Sequence, residues 1–157
     1  MPPRPADPIA DTSPPAAAGI AAVIVLAAGQ GTRMKSTRPK VLHELAGRPL
    51  IWHALSSAAA LRPASLVAVL GHGRDEVGGF LSAAPDLPTV TVAIQDEQKG
   101  TGHACACALG VTGNLSGTVI VTYGDVPLLQ ASTLQRLADT HVTSGNAVTV
   151  LTATVPN

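Results

Sequence analysis

Between Leu26 and Lys40 the chain runs LAAGQGTRMKSTRPK, an apolar stretch that gives way to two glycines and four cations. Gly29 and Gly31 carry no Cβ, so the backbone there can turn sharply and bring its N–H groups close to a ligand. Arg33, Lys35, Arg38 and Lys40 set positive charge beside those donors, and Pro39 restricts the backbone on both sides of itself. Such a loop suits a polyphosphate. Arg33 and Lys40 are the candidates for stabilising charge on the phosphates, while Lys35 and Arg38 are expected to be solvated surface cations. Two other phosphate loops are excluded. A dinucleotide fingerprint needs a third glycine where Met34 stands, and a P-loop needs a Gly-Lys-Ser/Thr that occurs nowhere in the sequence.

Asp125, in the segment YGDVPLL, is the carboxylate nearest the end of an apolar run. A single hard oxygen ligand is what Mg²⁺ needs when phosphates and water complete its octahedron; the competing role is to cap the turn at Pro127. Gln95 opens QDEQKGTGHA, and its amide offers both a donor and an acceptor, enough to read a uracil edge or simply to lie at the surface. His103, Cys105 and Cys107 form H-x-C-x-C, but no second ligand pair follows at zinc spacing, so the cysteines are expected to be small packing residues. No serine sits in a nucleophile elbow, which excludes a Ser-His-Asp hydrolase.

The elements that must position these residues follow from hydrophobic pattern and turn chemistry. Met1 to Ala18 is rich in proline and alanine without periodicity, and is expected to be a disordered tail. The apolar run after it follows prolines, two aspartates and a lone arginine, which does not fit a signal peptide, and it is too short to span a bilayer. Strands are expected at Ile20–Ala27, Ser65–Leu70, Thr89–Ile94, Thr118–Thr122 and, fifth, from Ala147 to Val155. Helices are expected at Arg48–Leu61, Arg74–Ala83, Gly102–Leu109 and Ser132–His141, with Gly78 and Gly79 weakening the second. Alternating continuous apolar strands and helices predict an α/β fold with a mostly parallel sheet covered on both faces. The segments LAAGQGTR, LGHG, QDEQKGTG and YGDVP all follow strand C-termini, where open parallel sheets bind ligands.

Composition narrows the function further. The 157 residues are 46% hydrophobic and 13% charged with zero formal net charge, which supports one domain with a sizeable core. Neutrality argues against a nucleic-acid surface, and a 2% aromatic content leaves little for base-stacking platforms. Two thiols without a disulfide framework point to a reducing compartment, the cytoplasm.

Taken together, LAAGQGTRM followed by PK, PKVLHELAGRPL, QDEQKGTGHA and YGDVPLL resemble the sugar-phosphate nucleotidyltransferases, the pyrophosphorylase family. Within that family the match is nearest to the uridyltransferase domains of bacterial bifunctional N-acetylglucosamine-1-phosphate uridyltransferases, over about Ala22 to the C-terminus. The resemblance implies a Rossmann-like three-layer fold and transfer of UMP from UTP to N-acetyl-α-D-glucosamine 1-phosphate, a step toward peptidoglycan and cell-envelope precursors. It implies nucleotide contacts at the backbone of Leu26, Ala27, Ala28 and Gly29, and at Lys40, Gln95, Gly100, Thr101, Tyr123, Gly124 and Asp125, with Mg²⁺ on Asp125. It further implies a truncated domain, residues 19–157, whose acceptor half, second metal ligand and trimer-forming acetyltransferase β-helix lie outside this sequence. Two alternatives stay open: another sugar- or polyol-phosphate nucleotidyltransferase, or a non-catalytic nucleotide-binding module.

Overall fold

The computed structural model describes residues 19–29, 31, 34 and 36–154. The expected tail, Met1 to Ala18, lies outside the described residues. Four parallel strands form the sheet: β1 (Ile20–Ala27), β4 (Ser65–Leu70), β5 (Thr91–Ile94) and β6 (Thr118–Tyr123), in the order β5-β4-β1-β6. β1 is central and buried along nearly its whole length, which is why its sequence is apolar at every position instead of alternating.

Helices α1 (Leu50–Ala59), α2 (Arg74–Ala83) and α3 (Thr101–Thr112) carry the crossovers, and α4 (Ala131–Thr143) follows β6. Ile51, Ala54, Leu55 and Ala58 of α1, Val77 of α2 and Leu134 and Ala138 of α4 pack on one face, against Val23, Val25, Leu70 and Ile120. On the opposite face Ala104 and Ala108 of α3 meet Ile24, Leu26, Val67, Val69 and Ala93. Alanine at both contact positions lets α3 lie close to the sheet. The chain therefore builds outward through β4 and β5 with helices on one face, then returns through α3 on the other to place β6 beyond β1. Reversal of direction opens a crevice beside the C-terminal end of β1, where doubly wound sheets bind ligands.

The structure corrects three details of the sequence reading. The expected helix from Arg48 begins two residues later, because Arg48–Pro49 (β3) pairs antiparallel with Glu44–Leu45 (β2). Ala46 (φ 51°) and Gly47 (φ 78°) make the tight turn between them, the left-handed pair that a two-residue hairpin requires. The fifth strand, expected from Ala147, does not form among the described residues. Its Val148 and Val150 lie exposed, since β-propensity makes a strand only where a neighbour completes the ladder, and none of the four strands pairs with it. Helical cover is also incomplete at the edges: Val119, Val121 and Tyr123 of β6 present a partly exposed row on the α3 face. No helix among the described residues is long and apolar enough to cross a membrane.

Candidate functional site

The crevice holds a cavity of about 450 Å³ formed by three loops at strand C-termini. Its walls include Leu26, Ala27, Ala28 and Gly29 after β1, Gln95, Gly100 and Thr101 between β5 and α3, and Tyr123 and Asp125 at the end of β6. Lys40 reaches in from the segment following the glycine loop. With Gly31, which also lines it, eleven of the residues singled out in the sequence thus share one cavity.

Lys40 is fixed by what surrounds its backbone and stem. Pro39 is buried and precedes a single 3-10 turn, Lys40–Leu42, whose Val41 and Leu42 sink into the core. Gly31 (φ 61°) lies against the lysine stem so closely that a Cβ there would stand 2.8 Å from the Lys40 Cβ. Glycine at position 31 therefore serves two needs, the left-handed turn and room for the lysine. The Lys40 ammonium then meets Asp125, Nζ to Oδ2 at 2.6 Å, across 85 residues of sequence.

Asp125 owes its position to the pairing of β6 with β1. The N–H of Gly124 donates to the Leu26 carbonyl at 2.9 Å, carrying the two strands' contact one residue beyond β6. A Cβ on Gly124 would stand 3.3 Å from that of Ala27 and 3.4 Å from Val41 Cγ1, so this glycine lies beneath the site and allows close approach. Gly124 itself is not among the residues that line the cavity.

The Gln95 N–H donates to the Leu70 carbonyl at 2.8 Å, extending the β4–β5 ladder, and its side chain is buried. Gln95 Nε2 donates to the Gly100 carbonyl at 3.0 Å and lies 3.3 Å from His103 Nδ1. His103 Nδ1 is also 3.0 Å from the Glu97 carbonyl. A carbonyl only accepts, so the closer contact makes Nδ1 the protonated nitrogen, donating to Glu97. The amide orientation of Gln95 is set by Gly100, and its Oε1 forms no hydrogen bond among the described residues. Gly100 itself has φ 91°, opening the first turn of α3 toward the cavity, where free amides and the helix dipole favour an anion.

Gln98 is the residue the sequence reading missed that does most here. Its Nε2 donates to the Ala28 carbonyl at 2.8 Å, tying the Gln95 segment to the glycine loop. The signal was present, since Gln98 lies inside QDEQKGTGHA, but nothing local marks which glutamine faces a loop 70 residues away. Met34, Val41 and Ala104 also line the cavity and carried no signal beyond being apolar. The LGHG segment, expected among four converging loops, is absent from the lining. A Cβ at Gly73 would fall 2.5 Å from Pro39 Cγ, so this loop supports Pro39 from behind. Arg33 and Lys35 lie outside the described residues. Arg38 pairs with Glu44 at 3.4 Å, away from the cavity.

The donor set bears on a metal. Among the described residues no group of three or more histidine, cysteine or acidic side chains could hold an ion. Among the described residues Asp125 is the one carboxylate in the lining, a set that fits a hard cation taking most of its oxygens from phosphate and water, and does not fit a closed protein cage. The cysteines are not part of it: Cys105 packs against the α3-side core, and burial pushes its thiol up.

Comparison with known proteins agrees with the fold. The model of the MobA-like NTP transferase domain family matches residues 23–155. The chain is 61% identical over 134 residues to the bifunctional protein GlmU of Kineococcus radiotolerans, and 57% identical over 136 residues to that of Cutibacterium acnes. Those alignments cover 85% and 87% of this chain but only 27% and 32% of the relatives' lengths. The solved structure of Rv0371c from Mycobacterium tuberculosis superposes with a TM-score of 0.64 at 25% identity, over 80% of this chain and 62% of that one.

Proposed function

The chain belongs to the MobA-like NTP transferase domain family, and from that membership we propose that it builds the nucleotide half of a uridylyltransferase site. The reaction is transfer of UMP from UTP to a sugar 1-phosphate, N-acetyl-α-D-glucosamine 1-phosphate, giving UDP-N-acetylglucosamine and pyrophosphate. An oxygen of the sugar phosphate attacks the α-phosphorus, the bond from that phosphorus to the β-bridging oxygen breaks, and pyrophosphate leaves in line. The nucleophile is already an anion, so no general base is needed.

The observation that carries this reading is the placement, in one cavity, of a base-sized polar group and a cation–carboxylate pair. Gln95 has its amide N–H₂ engaged by Gly100, which leaves Oε1 as an acceptor. Uracil presents an N3–H donor to such an acceptor, whereas cytosine has a lone pair there. Lys40 supplies positive charge to the phosphates, and the first turn of α3 adds N–H donors at Thr101 and the residues after it. Asp125 would hold Mg²⁺, which when bound neutralises charge on the phosphate oxygens. Arg33 is proposed to share the charge stabilisation with Lys40. Catalysis of this kind is positioning plus electrostatics, since the protein forms no covalent bond to substrate.

Calorimetric titration of the chain with UTP and Mg²⁺, with CTP and ATP as controls, tests this reading. Pyrophosphate release is followed in the same samples with N-acetylglucosamine 1-phosphate present. Selective UTP binding with release is the expected result for a working transferase. Selective binding without release assigns the chain to nucleotide binding alone, and absence of binding by the folded chain overturns the site.

A further inference from the structure

Lys40 and Asp125 are the two charged side chains in the described cavity lining, and they are bound to each other. The 2.6 Å contact sets a cation directly on Oδ2, one of the two oxygens a metal could take. Both partners are constrained. The lysine stem is held by Gly31 and its backbone by Pro39 and the buried Val41, while Asp125 follows the Gly124 to Leu26 hydrogen bond. A hard divalent ion sits about 2.1 Å from its carboxylate oxygen. With Lys40 in place the two cationic centres would lie on the order of 4 Å apart, a repulsive arrangement.

We infer that the Lys40–Asp125 ion pair bars a free divalent cation from the site and admits the cation only together with a triphosphate. The inference rests on the nucleotide-binding reading given above. A triphosphate changes the balance because its oxygens offer the ammonium a richer partner than one carboxylate. The terminal methylenes of Lys40 can then turn Nζ toward phosphate while Gly31 keeps its Cβ fixed, freeing Asp125 for the cation. Other described cations near the site are committed elsewhere: Arg38 to Glu44, Arg74 to Asp96 and Lys99 to Glu97. The device keeps the site from filling with metal before substrate, so metal and nucleotide enter as one ligand.

The test measures Mn²⁺ binding to the full chain without nucleotide, by the electron paramagnetic resonance signal of free Mn²⁺. Wild type, Lys40→Met, Lys40→Arg and Asp125→Asn are compared, with Lys40→Gln as a second neutral variant if the methionine form does not fold. Neutralising Lys40 is expected to tighten Mn²⁺ about tenfold, while the same substitution weakens binding of the Mn²⁺–UTP complex. Arginine is expected to keep Mn²⁺ as weak as in wild type, and Asp125→Asn to abolish the gain when combined with Lys40→Met. Unchanged or weaker Mn²⁺ binding in the neutral variants overturns the inference. Failure of wild type to bind the Mn²⁺–UTP complex would instead count against the nucleotide site, a separate outcome read from a separate titration.

Discussion

Lys40 owes its place to neighbours that its own side chain does not reveal. A cation after a glycine loop is common, but here Gly31 gives up a Cβ to let the stem pass, and Pro39 with Val41 fixes the exit point. Replacing Lys40 with alanine is expected to weaken UTP by about tenfold or more and uridine hardly at all, because the lost contact is to phosphate. Calorimetry with both ligands checks this, and equal loss for uridine would remove the phosphate role. Asp125→Ala is expected to abolish the Mg²⁺ dependence of UTP binding while leaving some metal-independent affinity. A titration with and without Mg²⁺ separates the two, and a persisting Mg²⁺ effect would place the cation elsewhere.

At the scale of elements, the site depends on loops held in register by bonds that are not part of the sheet. Gln98 fastens the segment between β5 and α3 to the Ala28 carbonyl, so the Gln95 segment and the glycine loop share one frame. Gln98→Ala is expected to raise the UTP dissociation constant roughly three- to tenfold, the range of one hydrogen bond, with pyrophosphate affinity unchanged. A matching loss for pyrophosphate would mean that Gln98 acts on the glycine loop as a whole. The β2–β3 hairpin, by contrast, carries a local cost. Ala46 sits at φ 51° beside Gly47, where asparagine is better tolerated than alanine. Ala46→Asn is therefore expected to stabilise the chain by about 0.5–1 kcal/mol, read as a rise in the urea midpoint at constant slope.

At the scale of the whole molecule, core and site meet only at the strand ends, where Leu26, Ala27, Ala28, Val41 and Ala104 belong to both, while the rest of the packing lies within the layers. Leu55 on α1 is fully buried in the core and is not a lining residue of the cavity. Leu55→Ala is expected to cost about 2–5 kcal/mol of unfolding free energy with UTP affinity unchanged in the folded protein, measured by denaturant titration and calorimetry. Much of this organisation was legible in the residues alone. Ser65–Leu70 and Arg74–Ala83 form at the expected limits, and β1 does so as well, because continuous apolar runs and glycine turns are local signals. Lys40, Gln95 and Asp125 were marked by residue type, and Gly100, Thr101 and Tyr123 by the family resemblance, and all line the cavity. What the sequence could not hold was anything that depends on a partner distant along the chain. The unpaired stretch after Ala147 was decided by whether a neighbouring strand was there to pair with. Gly124 beneath the site and the ammonium of Lys40 on Asp125 were decided only when β6 came to lie beside β1, and Gln98 against Ala28 only when β5 and α3 took their places on the sheet. Local chemistry therefore chose the groups, and the strand order, which balances packing over the entire sheet, chose which of them meet.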